Sequence, residues 1–400
     1  MRKKQDDGRR PRGLPAVAVC LAVFAGIACG ASDSEPLHFL VANDDATRPA
    51  PPSTVTFYTV GTDGTLTNAD AVSTGGNGIA GGFFGTARII VIDKKDEACV
   101  YASNAQSENI TGIDARERKV SGLFQGSSKD IKIARDGIGL AAGGDYLYAT
   151  FSGSGNIAAF HVKPGCKLDF VGEIHAQGLS GGMAEGIAVH GATMIATYGD
   201  GSVGSYDVSA GLPVAHDDAQ YFPGTREDFS PGAVDITRDG HYAIFGGGST
   251  ATEVQVSDIS SGKIVALTAY RLSAAWGSGS VRLSPDESLL YISNNAGGRV
   301  TAAYFDKTTG KLRLGCTSPP LKGFYTKFNY VGTVATELPT GTGGTLYVPE
   351  FNADGKSAIG MLRLAVTGTG CTLTETTDSP VSGSPGSALL SIGVYPPRPF

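Results

Sequence analysis

The stretch Gly279–Leu314, GSVRLSPDESLLYISNNAGGRVTAAYFDKTTGKLRL, decides the fold. Val281 and Leu283 alternate with polar residues, and Ser284-Pro285-Asp286-Glu287 then turns the chain. Leu289 to Ser293 is a run of β-formers, closed by a second turn at Asn294 to Gly298. Val300 to Phe305 is a third run, Asp306 to Gly310 a third turn, and Lys311 to Leu314 begins a fourth run. Period-two alternation marks a strand with one face in a core, and Asn, Gly, Asp and Pro clusters reverse the chain. The stretch therefore reads as four short antiparallel strands, one blade of a β-propeller.

The unit recurs on both sides. Apolar pairs two residues apart mark the inner strand of each blade: Ile90/Ile92, Ile131/Ile133, Ile187/Val189, Val234/Ile236, Val281/Leu283, a looser one at Val334, and Leu390/Ile392. A recurrence every 40 to 60 residues, roughly, is the spacing of four-stranded blades. Second strands follow as Cys99-Val100-Tyr101-Ala102, Tyr146-Leu147-Tyr148-Ala149 and Thr345-Leu346-Tyr347-Val348. The last pair has no strands after it. Conversely, His38–Asn43, Thr54–Val60 and Thr62–Leu66 match a second, third and fourth strand with no first. The two ends are thus expected to share one blade, with Leu390 in its innermost strand beside Val41. The expected fold is all-β: a seven-bladed propeller of four-stranded blades over residues 38–400, closed so that no sheet edge is left open.

Composition agrees with many tight turns. Glycine contributes 57 of 400 residues, charged residues 18% and hydrophobic residues 41%, enough for a packed core. The formal net charge of −6 argues against a nucleic-acid partner, which needs a basic face. At the amino terminus, Arg2, Lys3, Lys4, Arg9, Arg10 and Arg12 precede an apolar run from Leu14 to Ala28, the pattern of a signal peptide over residues 1–28. Small residues lead into Cys29, and residues 29–37 form a polar tether. Two endings fit: lipidation of Cys29, or ordinary cleavage near Ala28 or Ala31. The expected location is outside the cytoplasm, in a bacterial periplasm or on the outer surface, with contact to a membrane only through a lipid anchor.

The segments SPDESLLYISNN (Ser284–Asn295) and YFDKTTGKL (Tyr304–Leu312), with the seven-fold repeat, resemble the lactonase-like seven-bladed propellers. That group includes 6-phosphogluconolactonase and the carboxymuconate cyclases, and overlaps the Tyr-Val-Thr-Asn repeat propellers of surface proteins. The resemblance covers roughly residues 38–395 and concerns architecture. It implies a ligand site on the face where blade-to-blade loops and second-to-third-strand loops converge, with Arg, His and Glu there for lactone opening. The family's Gly-Pro-Arg-His type segment is missing from Phe229–Gly232, Trp276–Gly279 and Phe328–Val331.

The polar groups this register brings to the mouth are Glu185, Arg226, Glu227 and Arg271 as candidate catalytic residues. A cation to polarise the carbonyl and a carboxylate base are what the reaction needs. Arg226 and Glu227 also read as a mutually paired, solvated loop. His175, Trp276, Tyr325 and Lys327 are candidate ligand contacts, set against plain packing between blades for the aromatics. No cofactor motif and no metal-ligand spacing appear; Asn43-Asp44-Asp45 and Asn352-Ala353-Asp354-Gly355 are slightly calcium-loop-like but read as turns. Asn109-Ile110-Thr111 is a glycosylation sequon by pattern alone. Of six cysteines, Cys99, Cys166, Cys316 and Cys371 lie in the propeller. Neighbouring blades would pair Cys99 with Cys166 and Cys316 with Cys371; four buried thiols are the alternative. The expectation is a monomeric binding module for a small molecule or a protein, with a lactone hydrolase as the competing reading.

Overall fold

A computed structural model describes residues 38–46, 49, 51–79, 87–94, 97–125, 138–221, 231–247, 253–271, 278–294, 297–323, 335–340, 343–351, 354, 356–382 and 391–397. They form seven antiparallel sheets around a common axis, a seven-bladed β-propeller. Blade 1 runs outward through Ile89–Lys94, Glu97–Asn104, Asn109–Asp114 and Lys119–Phe124. Blade 2 is Ile138–Gly143, Tyr146–Phe151, Asn156–Lys163 and Lys167–His175. Blade 3 is Ala184–His190, Thr193–Tyr198, Val203–Asp207 and the two-residue strand Val214–Ala215. Blade 4 is Pro231–Ile236, Tyr242–Gly247, Glu253–Asp258 and Val265–Arg271. Blade 5, which contains the SPDESLLYISNN segment, is Ser278–Leu283, Leu289–Asn294, Arg299–Asp306 and Lys311–Thr317. Blade 6 is Ala335–Thr340, Gly343–Phe351, Ser357–Thr367 and Gly370–Glu375, with Val381–Ser382 also pairing on the third strand.

Blade 7 is composite. Ser391–Tyr395 is its innermost strand, and Phe39–Asn43, Thr54–Val60 and Leu66–Ser73 complete it. Val41 pairs with Gly393 and Asn43 with Ser391. Leu390 lies outside the described residues, so the strand is anchored by Ile392 alone of its expected pair. In blade 2 the innermost strand is Ile138–Gly143, later than the Ile131/Ile133 pair suggested. The physical reason is the turn. Gly144, at a φ of 56°, and Asp145 join this strand directly to Tyr146, and Ile138/Leu140 is a second apolar pair with the same spacing. Residues 131–137 lie outside the described set.

Among the described residues the core falls into seven apolar clusters, and each bridges two successive blades. A blade therefore buries its faces against its neighbours, and no blade carries a core of its own. Val100-Tyr101, Leu147-Tyr148, Leu290-Tyr291 and Leu346-Tyr347 repeat at one place in the second strands, all with at most 1% exposure. Full burial of such a side chain stabilises by about 1.5–3 kcal/mol. The turns are closed by short polar side chains. In blade 5, Ser284 Oγ donates to Asp286 Oδ1 at 2.7 Å and accepts from the Leu289 N–H at 3.0 Å. Between blades, buried Asp235 accepts the Leu283 N–H at 2.8 Å, tying one inner strand to the next.

Two disulfides staple neighbouring blades. Cys99, in the second strand of blade 1, bonds Cys166, in the last turn of blade 2. Cys316 and Cys371 join the outermost strands of blades 5 and 6. Glu97 lies beside the first pair, but the two sulfurs are bonded to each other and are not available as metal thiolates.

Candidate functional site at the propeller mouth

The strand order places the blade-to-blade loops and the second-to-third-strand loops on one face. Several strands of the described residues carry polar side chains to that end. The most buried group stands at the seam of blades 7 and 1. Arg88, one residue before the inner strand of blade 1, is 4% exposed, and its guanidinium Nη1 pairs with Asp45 Oδ2. Burial pushes the Asp45 carboxyl up to about 6 in spite of that guanidinium. The backbone N–H of Arg88 donates to Ser391 Oγ at 3.0 Å. Asn43 Nδ2 donates to the Ser103 carbonyl at 3.2 Å, so two strands of blade 7 and one of blade 1 meet around this pair. Asp44 accepts from Thr54 through N–H at 2.7 Å and Oγ1 at 2.8 Å. The Asn43-Asp44-Asp45 segment is thereby a bonded turn with a guanidinium among its partners, an arrangement unsuited to calcium.

A second group stands at the mouth end of blade 6. Glu350 is 4% exposed; its Oε2 accepts the Gly323 N–H at 3.2 Å, and Oε1 has no hydrogen-bond partner among the described residues. Burial pushes its carboxyl up to about 8, and the charge of Glu375 adds to the rise. Glu375 itself accepts the Lys322 N–H at 2.7 Å and the Ser379 hydroxyl at 2.7 Å. The Lys322 ammonium is held by the carbonyls of Thr376 at 2.6 Å and Ser379 at 3.1 Å. A side chain on Gly360 would meet Glu350 Oε1 at 2.6 Å, so the glycine makes room for the carboxyl.

Of the residues singled out from sequence, Glu185 sits half-buried on the inner strand of blade 3, with its carboxylate over Gly199. Arg271 ends the outermost strand of blade 4, where its Nε donates to Glu253 at 2.9 Å. Arg271 thus stands on the outermost strand of blade 4 and Glu185 on the innermost strand of blade 3, at opposite edges of two different sheets. His175 ends the outermost strand of blade 2 and bonds Asn156. Arg226, Glu227, Trp276, Tyr325, Lys327 and Cys29 lie outside the described residues. The sequon residue Asn109 is 7% exposed and its Oδ1 accepts from Asn104 at 2.7 Å, a core role incompatible with an attached glycan.

Sequence reasoning missed Arg88 and Glu350. Arg88 had a visible signal: it directly precedes an inner strand, the position where the resemblance places an arginine. Glu350 had none, because a single Glu at a strand end is common on solvated loops.

No family model and no curated protein matches the chain. Solved structures do. Two are named as putative 6-phosphogluconolactonases: one from Bacteroides uniformis, at 13% identity and a TM-score of 0.65, covering 90% of this chain and 100% of that one. The other, from Bacteroides fragilis, shows 14% identity and a TM-score of 0.63, with 90% and 99% covered. A periplasmic gluconolactonase from Pseudomonas aeruginosa matches at 16% identity and a TM-score of 0.62, with 88% and 98% covered. At these identities the likeness is one of fold, and the chain has the fold of the lactonase-like propellers.

Proposed function

We propose that the chain is an exported propeller that binds a polar small molecule at the mouth and does not open lactones. The observation that carries this reading is the bonding of the mouth charges. A lactone-opening site presents a cation to the carbonyl oxygen and a base to water. Here Arg88 is buried against Asp45, Glu350 is a buried acid held largely protonated near neutral pH, and Arg271 is paired on the outer edge. Export is supported by the two inter-blade disulfides, which persist in oxidising compartments. Cys29→Ser separates an anchored from a freely secreted form by its partition with membranes.

The competing reading, a lactone hydrolase using Glu185, Arg226 and Glu227, draws on the fold likeness to gluconolactonases. One set of measurements separates the two. Trp276 is the single tryptophan, so its fluorescence reports ligands near it, with Tyr325 and Lys327 as the proposed contacts. The binding reading expects a saturable change with a polar ligand and no turnover on sugar or aromatic lactones. Turnover that falls about 10²–10³-fold in Arg226→Ala or Glu185→Gln, with the fold intact, would establish hydrolysis and reject the binding reading.

A further inference from the structure

Away from the mouth charges, three side chains on the outer half of blade 2 are arranged in series. Asn156 opens the third strand and His175 ends the fourth, and the two are direct cross-strand partners. Glu173 lies two residues before His175, hence on the same side of its strand. Asn156 Nδ2 donates to Glu173 Oε1 at 3.2 Å, and Asn156 Oδ1 faces His175 Nδ1 at 3.1 Å. A carboxylate only accepts, so the amide must turn its NH₂ to Glu173 and its oxygen to the ring. His175 Nδ1 is then the protonated nitrogen, and Nε2 keeps its lone pair. Asn156 is 7% exposed, which fixes this orientation, while the His175 ring is exposed.

A thioether stands beside that ring. The place a Cβ would take on Gly155 lies 2.6 Å from Met183 Sδ and 3.3 Å from His175 Cε1, so sulfur and imidazole flank the same glycine. Gly155 has a φ of 73°, which alone favours glycine there. The bridge between Gln177 and Met183 returns the chain and sets Met183 against blade 2. Met194 and Met361 are buried in the core, at 0% and 2% exposure, whereas Met183 is half-buried at the surface.

We infer that His175 Nε2 and Met183 Sδ form a binding site for a soft monovalent d¹⁰ cation of the Cu(I) class, with Asn156 and Glu173 as positioning residues. An imidazole and a thioether together select such ions over hard divalent ones. The ring N–H is donated to an amide oxygen whose NH₂ in turn donates to a carboxylate, an outer-shell support of the kind that orients metal-binding histidines. Methionine is not a zinc ligand, so this pair carries no zinc-type ligand spacing in the sequence.

Ag(I) tests this without a reductant and leaves the disulfides intact. The full chain carrying Cys20→Ser and Cys29→Ser, which removes the two thiols outside the disulfides, is titrated with Ag(I) in chloride-free buffer. One equivalent should bind, and the Met183 methyl and His175 ring signals should shift together in the NMR spectrum. Met183→Leu, which keeps the volume, and His175→Gln should each abolish that binding, and Asn156→Ala should weaken it by about 10–100-fold. No Ag(I) binding at one equivalent, or binding that persists in both Met183→Leu and His175→Gln, would overturn the assignment. Ag(I) binding here is independent of whether the mouth takes an organic ligand.

Discussion

Glu350 shows how one side chain can make stability depend on pH. Its carboxyl is raised to about 8 by burial first and by the charge of Glu375 second. Unfolded, it would titrate at the usual 4.5. The folded state therefore holds a proton that the unfolded state has released anywhere between those values, and stability falls as pH rises through that window. Asp45 acts in the same sense between 3.8 and about 6. At 1.36 kcal/mol per pH unit, the Glu350 contribution by pH 8 is on the order of 4 kcal/mol. Glu350→Gln keeps the shape, cannot ionise, and should flatten the decline; urea unfolding of both proteins at pH 5 and pH 8 measures it. Equal declines in the two proteins would contradict the burial argument. None of this was legible in the sequence, where Glu350 is one acidic residue after a proline; its surroundings are set by Gly360 across the strand pair and by Gly323 from the segment before the blade. Arg88 was half legible, from its place before an inner strand, but its partner Asp45 comes from the other side of the composite seam.

The strand is the scale at which the sequence was most informative. Alternation and turn chemistry are local, so second strands such as Leu289–Asn294 were readable from their own residues. Blade 2 shows the limit: two apolar pairs of equal spacing competed for one inner strand, and the choice rested on the Gly144-Asp145 turn. The disulfides follow from the strand register, which puts Cys99 next to the last turn of blade 2 and Cys316 next to Cys371. Their surroundings differ. Cys99 and Cys166 are fully buried, whereas Cys316 and Cys371 are half-exposed. A mild reductant should thus open Cys316–Cys371 first, as alkylation and mass spectrometry of the four cysteines would show. Each bond closes a loop of more than fifty residues, with separations of 67 and 55, so Cys316→Ala with Cys371→Ala should cost about 2–4 kcal/mol. Simultaneous opening of both disulfides would mean that burial does not protect the first pair.

At the scale of the whole molecule, stability depends on the ring being closed. Every described core cluster lies between blades, so a blade without its neighbour exposes an apolar face, and an open ring exposes two. The closure is made by Ser391–Tyr395. This strand pairs along the whole of Phe39–Asn43, buries Ile392 against blade 6 residues, and stacks Tyr395 on Phe39 with ring centroids 4.9 Å apart. Gly393 sits so close to blade 1 that a Cβ there would meet Val91 Cγ2 at 3.1 Å. One strand thus touches three blades. Deleting residues 385–400 should remove those contacts, uncover the backbone edge of Phe39–Asn43, and leave a template for pairing with other chains. The truncated chain is expected to aggregate or to melt far below the parent, read by size-exclusion chromatography and thermal circular dichroism. Gly393→Val is the milder companion: it keeps the strand but forces it off blade 1, and should lower the melting temperature without aggregation. A truncated chain that remains monomeric and as stable as the parent would show that the blades hold one another without the terminal strand, since about 1.5–3 kcal/mol per lost apolar side chain could not otherwise go unnoticed.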